Sequence, residues 1–227
     1  MTKRDLFVAV PDLDLENTIK TLLCERQEAL GIRLTFDPGF PGQGDLLRYN
    51  RRDSGCYRNA PEVLRGARTT HNRVLLLFDR HGSGAEAAKG RAEIEGEVER
   101  RLYESGWAPD CACVVVLEPE LEAWVWAKSS HVAEALGWGS GYEQLRSYLE
   151  SEELWRQGED KPHDPKGAME AARRKKRSGG GSATVFAGLA RRVSMARCAD
   201  PAFKKLRSTL QRWFPARGGR DERDRSA

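Results

Sequence analysis

Two short apolar runs that end in acid constrain this chain most. Arg73-Val-Leu-Leu-Leu-Phe78 runs into Asp79-Arg80-His81-Gly82, and Cys113-Val-Val-Val-Leu117 runs into Glu118-Pro119-Glu120-Leu121-Glu122. Neither run alternates apolar with polar residues. A strand with one wet face needs that alternation, whereas a strand buried on both faces of a parallel sheet does not. Ligands of open α/β sheets collect at the carboxyl ends of such strands. Two strands that finish in carboxylates therefore predict a site for Mg²⁺ or Mn²⁺, and for the phosphate that such a cation holds.

The rest of the first half fits around these runs. Leu6-Phe-Val-Ala-Val10 reads as a first strand, and Asp14 as the cap of a helix through Glu16, Ile19, Leu22 and Leu23. Residues 32–36 read as a second strand, and the Gly/Pro-dense residues 37–44 as loop. Residues 45–50 read as the start of a short helix, 55–59 as irregular and 61–65 as a helical turn. A helix over residues 85–105 places Ile94, Val98 and Leu102 on one face. Pro119 suits the first turn of another helix, running through Leu121, Trp124, Val125 and Trp126. Strands alternating with helices predict an α/β layered domain with a largely parallel sheet over residues 1–136. Residues 137–214 read as a helical, basic subdomain with helices over 142–155, 166–177, 183–193 and 201–214. Residues 215–227 read as a disordered tail.

Charge divides along the same line. The net charge is +4, yet residues 161–212 hold 14 Lys/Arg against 3 Asp/Glu, while the first 160 residues hold 20 against 28. An acidic body with a basic C-terminal part predicts contact with a polyanion, here a nucleic acid backbone, or packing of the basic part on an acidic surface. Lys161 and the run Arg173, Arg174, Lys175, Lys176, Arg177 are the candidate phosphate contacts. No aromatic residue interrupts that run, so base-specific reading is not predicted. No apolar run approaches the roughly 20 residues of a membrane span. The N-terminus enters a strand without a signal peptide, and the five cysteines lack zinc-finger spacing. A cytoplasmic protein with reduced thiols is the expectation.

The candidate catalytic residues are Glu16, Asp79, Glu118, Glu122 and Lys166, with Asp79, His81, Glu118 and Glu122 as candidate metal ligands. Asp79 offers a hard oxygen donor at a strand end, and His81 would favour Mn²⁺ over Mg²⁺. On a helix that begins near Pro119, Glu118 and Glu122 lie four apart and share a face, with Glu120 pointing elsewhere. Lys166, at the start of a basic helix, can offset charge on a phosphate. Asp79 as a helix cap, and the glutamates as first-turn acids favoured by the helix dipole, are the competing readings.

Leu75-Leu-Leu-Phe-Asp79-Arg-His-Gly82, Val115-Val-Leu-Glu118-Pro-Glu-Leu-Glu122-Ala-Trp124 and Lys161-Pro-His-Asp-Pro-Lys166-Gly together resemble the Toprim-like proteins of prokaryotic defence loci, relatives of the RloB and OLD-nuclease groups. The resemblance spans about residues 5–212. It implies a Toprim-like sheet, a carboxylate site for Mg²⁺ acting on a phosphodiester, and a role in antiphage defence with other subunits as partners, for example in a methylation-associated system. The family's first turn reads Val-Glu-Gly; here Val10-Pro11-Asp12 leaves Asp12, Asp14 or Glu16 to stand in. The second acid of its Asp-x-Asp is His81. These departures leave open both a metal-dependent nuclease and a non-catalytic scaffold docked on a partner protein.

Overall fold

In the computed structural model, which describes residues 2–39, 43–177, 181–192, 198 and 200–216, the apolar runs form the middle of a four-stranded, all-parallel sheet. In chain order the first half comprises β1 (Arg4–Val10), α1 (Leu13–Glu25), α2 (Gln27–Leu30), β2 (Leu46–Arg48), α3 (Arg52–Leu64), α4 (Ala67–Thr70), β3 (His71–Asp79), α5 (Arg91–Glu104) and β4 (Ala112–Leu117). A 3-10 turn (Leu121–Trp124) leads into α6 (Ser130–Ala135), α7 (Tyr142–Ser151), α8 (Pro165–Lys176), α9 (Ser182–Arg192) and α10 (Pro201–Trp213). The sheet order is β2-β1-β3-β4, and the α/β architecture is consistent with a Toprim-like fold.

Period-two alternation sorts the strand residues onto two covered faces. Leu75, Leu77, Val115 and Leu117 face a core shared with α1, α9 and α10, while Val74, Leu76, Phe78, Val114 and Val116 face Cys56, Ala60 and Leu64 of α3 and Ile94, Val98 and Leu102 of α5. Burial on both faces explains why neither run alternates. Helices from beyond residue 137 contribute to the first of these cores, with α10 lying against β4 and α9 against α1.

Two polar devices close the sheet's margins. β4 is an edge strand, and its Val114 and Val116 N–H groups donate to Glu99 Oε1 (2.9 Å) and Glu95 Oε1 (3.0 Å) of α5. Lys205 of α10 reaches both carboxylates, at 2.8 Å and 3.2 Å. The amides that would otherwise invite a fifth strand are thereby satisfied. At the opposite end of the strands, buried His71 bonds Asp45 Oδ1 through Nε2 (2.9 Å) and Thr70 Oγ1 through Nδ1 (2.8 Å), and Arg4 pairs with the same Asp45 oxygen (2.7 Å).

Six local expectations need correction. Residues 32–36 are not a sheet strand: Ile32 makes only an isolated bridge to Pro215, and the Leu34 and Thr35 amides donate to the side chains of Gln27 and Asp5. Residues 46–48, read as helix, are β2, because pairing with Val8 to Val10 overrides a run too short to show a period. Residues 55–59, read as irregular, lie inside α3, which kinks at Asn59 ahead of Pro61. The helix expected from 85 starts at Arg91, where the Glu93 side chain accepts the Gly90 N–H (2.8 Å). The helix expected from Pro119 is only the 3-10 turn. Of the expected tail, Pro215 and Ala216 are tied to Ile32 and Gly31, and 217–227 lie outside the described residues. Among the described residues no helix is long and apolar enough to cross a membrane.

Candidate metal centre

The register Asp79↔Leu117 sets the ends of β3 and β4 side by side. Asp79 lies two residues beyond Leu77, on the face covered by α1 and the 3-10 turn. The chain then folds back so that the Arg80 N–H meets the Leu117 carbonyl (2.8 Å) and the His81 N–H meets the Pro119 carbonyl (2.9 Å). Glu120 is extended (φ −160°, ψ 172°), which turns its side chain inward beside that of Glu122. One carboxylate oxygen each from Asp79, Glu120 and Glu122 lies within 4.8 Å of the other two. Glu120 and Glu122 are buried and Asp79 is partly accessible.

Backbone groups fix the centre. Asp79 Oδ1 accepts the Leu121 N–H (3.0 Å), locking strand end to turn. The Asp79 N–H donates to Asp53 Oδ1 (2.8 Å), which brings a fourth acid from α3 to the edge of the cluster. Asp12 caps α1 by accepting the Leu15 N–H (2.9 Å) and adds its charge to the field felt by Asp79 and Asp53. Lys166, in the first turn of α8, stands 3.9 Å from Glu120 and 4.0 Å from Glu122. At that range it opposes their charge without a tight hydrogen bond.

Acids crowded into one crevice disfavour full ionisation. Burial, then Asp53, Glu122, Asp12 and Glu120, pushes the Asp79 carboxyl well above the usual carboxylate range. Burial and then Glu120 push Glu122 up to about 7. Burial likewise raises Asp53 and Asp14. Burial alone would lower the Lys166 ammonium, but Glu122, Glu120 and Asp79 together outweigh it and the net change is upward.

The sequence candidates distribute unevenly around this centre. Asp79, Glu122 and Lys166 are brought together. Glu118 is half exposed and turned to Arg80 (3.5 Å), and exposed His81 stands outside the cluster. Glu120, expected to point away, takes the place foreseen for Glu118, because the helical spacing behind that expectation is absent from the 3-10 turn. Glu16 pairs with Arg48 (3.2 Å), and Asp14 accepts a hydrogen bond from Ser182 (2.9 Å), which leaves Asp12 as the first-turn acid free of either tie. Lys161 does not face outward: Nζ donates to the Ala123 carbonyl (2.7 Å) and lies 3.5 Å from Asp200, which also accepts from Trp124 Nε1 (3.0 Å) and caps α10. Arg173, Arg174, Lys175 and Lys176 form the last turn of α8, with Arg177 as its left-handed cap. Asp53 carried no sequence signal, since only the fold brings α3 to the end of β3.

No family model, curated protein or solved structure matches this chain.

Proposed function

We propose that the carboxyl-end cluster holds a divalent cation and that the protein acts there on the phosphodiester backbone of a nucleic acid, in the manner of a Toprim-type metal-dependent nuclease. The convergence of Asp79, Glu120 and Glu122 within 4.8 Å carries this reading. Three hard oxygen donors suit Mg²⁺ or Mn²⁺. The upward pressure on Asp79 and Glu122 fits the same donors, because a cation would relieve it. When bound, the ion would supply Lewis-acid polarisation of a phosphoryl oxygen and a more acidic water. Leu121 N–H and Asp53 keep Asp79 in place, Lys166 neutralises a neighbouring phosphate oxygen, and the basic end of α8 holds the backbone. By its resemblance the chain would serve an antiphage defence system together with other subunits.

Incubation with plasmid, single-stranded DNA and RNA in Mg²⁺ or Mn²⁺, beside Asp79→Ala, tests the proposal. Cleavage by the wild type and its loss in the variant are expected, and cleavage that survives the substitution refutes the site. A scaffold without catalysis is the second reading, favoured by exposed His81 standing where the resemblance calls for an acid. Absence of both cleavage and salt-sensitive binding selects it.

A further inference from the structure

The basic run 173–177 has no aromatic neighbour in sequence, but the fold gives it two. Trp138, just after α6, and Tyr148, on α7, stand with ring centroids 5.2 Å apart and planes 32° apart. Lys176 Nζ lies 4.3 Å from the Trp138 ring centroid and Lys175 Nζ 5.2 Å from that of Tyr148. Trp138 Nε1 donates to the Ala172 carbonyl (3.1 Å), which pins the indole to the backbone of α8. Both rings are partly exposed, and both lysines are exposed.

We propose that Trp138 and Tyr148, beside the basic end of α8, are a stacking platform for unpaired bases of a single-stranded nucleic acid whose backbone follows α8 from the carboxylate cluster. This rests on the nucleic-acid reading above and names its substrate class. Lys166 marks one end of the path and Lys176 the other, about 15 Å apart at 1.5 Å per helical residue. A stacked strand advances about 3.4 Å per nucleotide, so about four nucleotides cover the distance. The ammonium groups now over the rings would exchange places with bases. A base stacks on an aromatic ring more strongly than an exposed lysine does, and the displaced lysines gain phosphates. The pinned indole costs little further ordering on binding. A duplex hides its base faces and would engage the lysines alone. A lipid surface would need an apolar anchor, and the exposed large apolar side chains among the described residues, Leu13 and Tyr103, lie on other elements.

Fluorescence anisotropy in chelator, where cleavage is silent, tests the platform with a labelled 12-nucleotide single strand, its duplex, and phosphatidylserine vesicles as competitor. The wild type is expected to prefer the single strand, with affinity rising once oligonucleotides pass about four nucleotides. Tyr148→Leu should weaken single-strand binding about tenfold and leave duplex binding unchanged. The surface variant Lys175→Gln/Lys176→Gln should weaken both and flatten the log–log salt slope for single strands by about 1.4. Equal affinity for single strand and duplex, wild-type binding by Tyr148→Leu, or displacement by vesicles at matched charge would overturn the platform. If cleavage still depends on Asp79 in that case, the metal-site reading survives without it. If no nucleic acid binds in a salt-dependent way, both fall.

Discussion

Glu122 gives the proposed metal centre a stability signature that needs no substrate. Its carboxyl is driven from an ordinary 4.5 to about 7, first by burial and next by Glu120. A carboxyl with a raised folded-state value binds its proton more tightly in the folded chain, so stability falls as pH climbs from about 4.5 through about 7. At about 1.4 kcal/mol per pKa unit, the penalty is roughly 3 kcal/mol and is complete above pH 7. For a chain of this length that corresponds to about 6–12 °C in Tm. Asp79 moves in the same direction and adds to it. Thermal melts in chelator from pH 5 to 8 should show the wild type falling below Glu122→Gln by about that margin at pH 8, with the two curves converging near pH 5. Saturating Mn²⁺ at pH 8 should restore about 3 kcal/mol to the wild type at 100 times its Kd, and much less to the variant. Parallel pH profiles for the two chains in chelator would refute the argument, because the shared field of the three acids would then be absent.

Lys166→Met should cut the proposed cleavage about 100-fold in kcat and change the urea midpoint little, since the ammonium is 54% exposed and its ion pairs are screened. His71 is lowered by burial, so its contribution is present above about pH 6.5 and is lost as pH falls; in calorimetric scans, acid sensitivity between pH 7 and 5 should shrink in His71→Gln. That variant should also lose about 1–3 kcal/mol at pH 7, because Asp45 keeps Arg4 and the Asp37 N–H but loses its buried partner. Lys205→Met should cost about 2 kcal/mol by urea unfolding, as Glu95 retains Arg91, and should raise concentration-dependent association on size exclusion as the β4 edge loosens. A strictly monomeric Lys205→Met chain of unchanged stability would show that the edge needs no such cover.

β3 and β4 were legible because burial on both faces forces unbroken apolar residues, and that pattern has few other meanings at their length. The core face of α5 was legible for the analogous reason at helical spacing. β2 was not, since three residues carry no period and their state is decided by the strand they meet. The acid at position 120 was missed through geometry: residues 118 and 122 share a face only on a full α-helix, and the chain makes an extended step at 120 followed by a 3-10 turn. Asp53, Trp138 and Tyr148 were beyond reach of sequence reasoning, because each matters only through a partner far away along the chain. Lys161 illustrates the converse, a cation in a basic segment whose hydrogen bonds are spent inside the molecule.

That lysine has a consequence for how the protein is made. Of the three clustered acids, Glu120 flanks and Glu122 lies within a turn moored by Lys161 through the Ala123 carbonyl and by Asp200 through Trp124. Synthesis delivers the four strands well before either mooring point emerges. A nascent chain therefore has its sheet residues and the Asp79–Leu121 contact in hand while the acidic turn still lacks both moorings. Both moorings are available only once residues 161 and 200 have emerged, so the acidic turn gains its last supports later than the sheet that carries it.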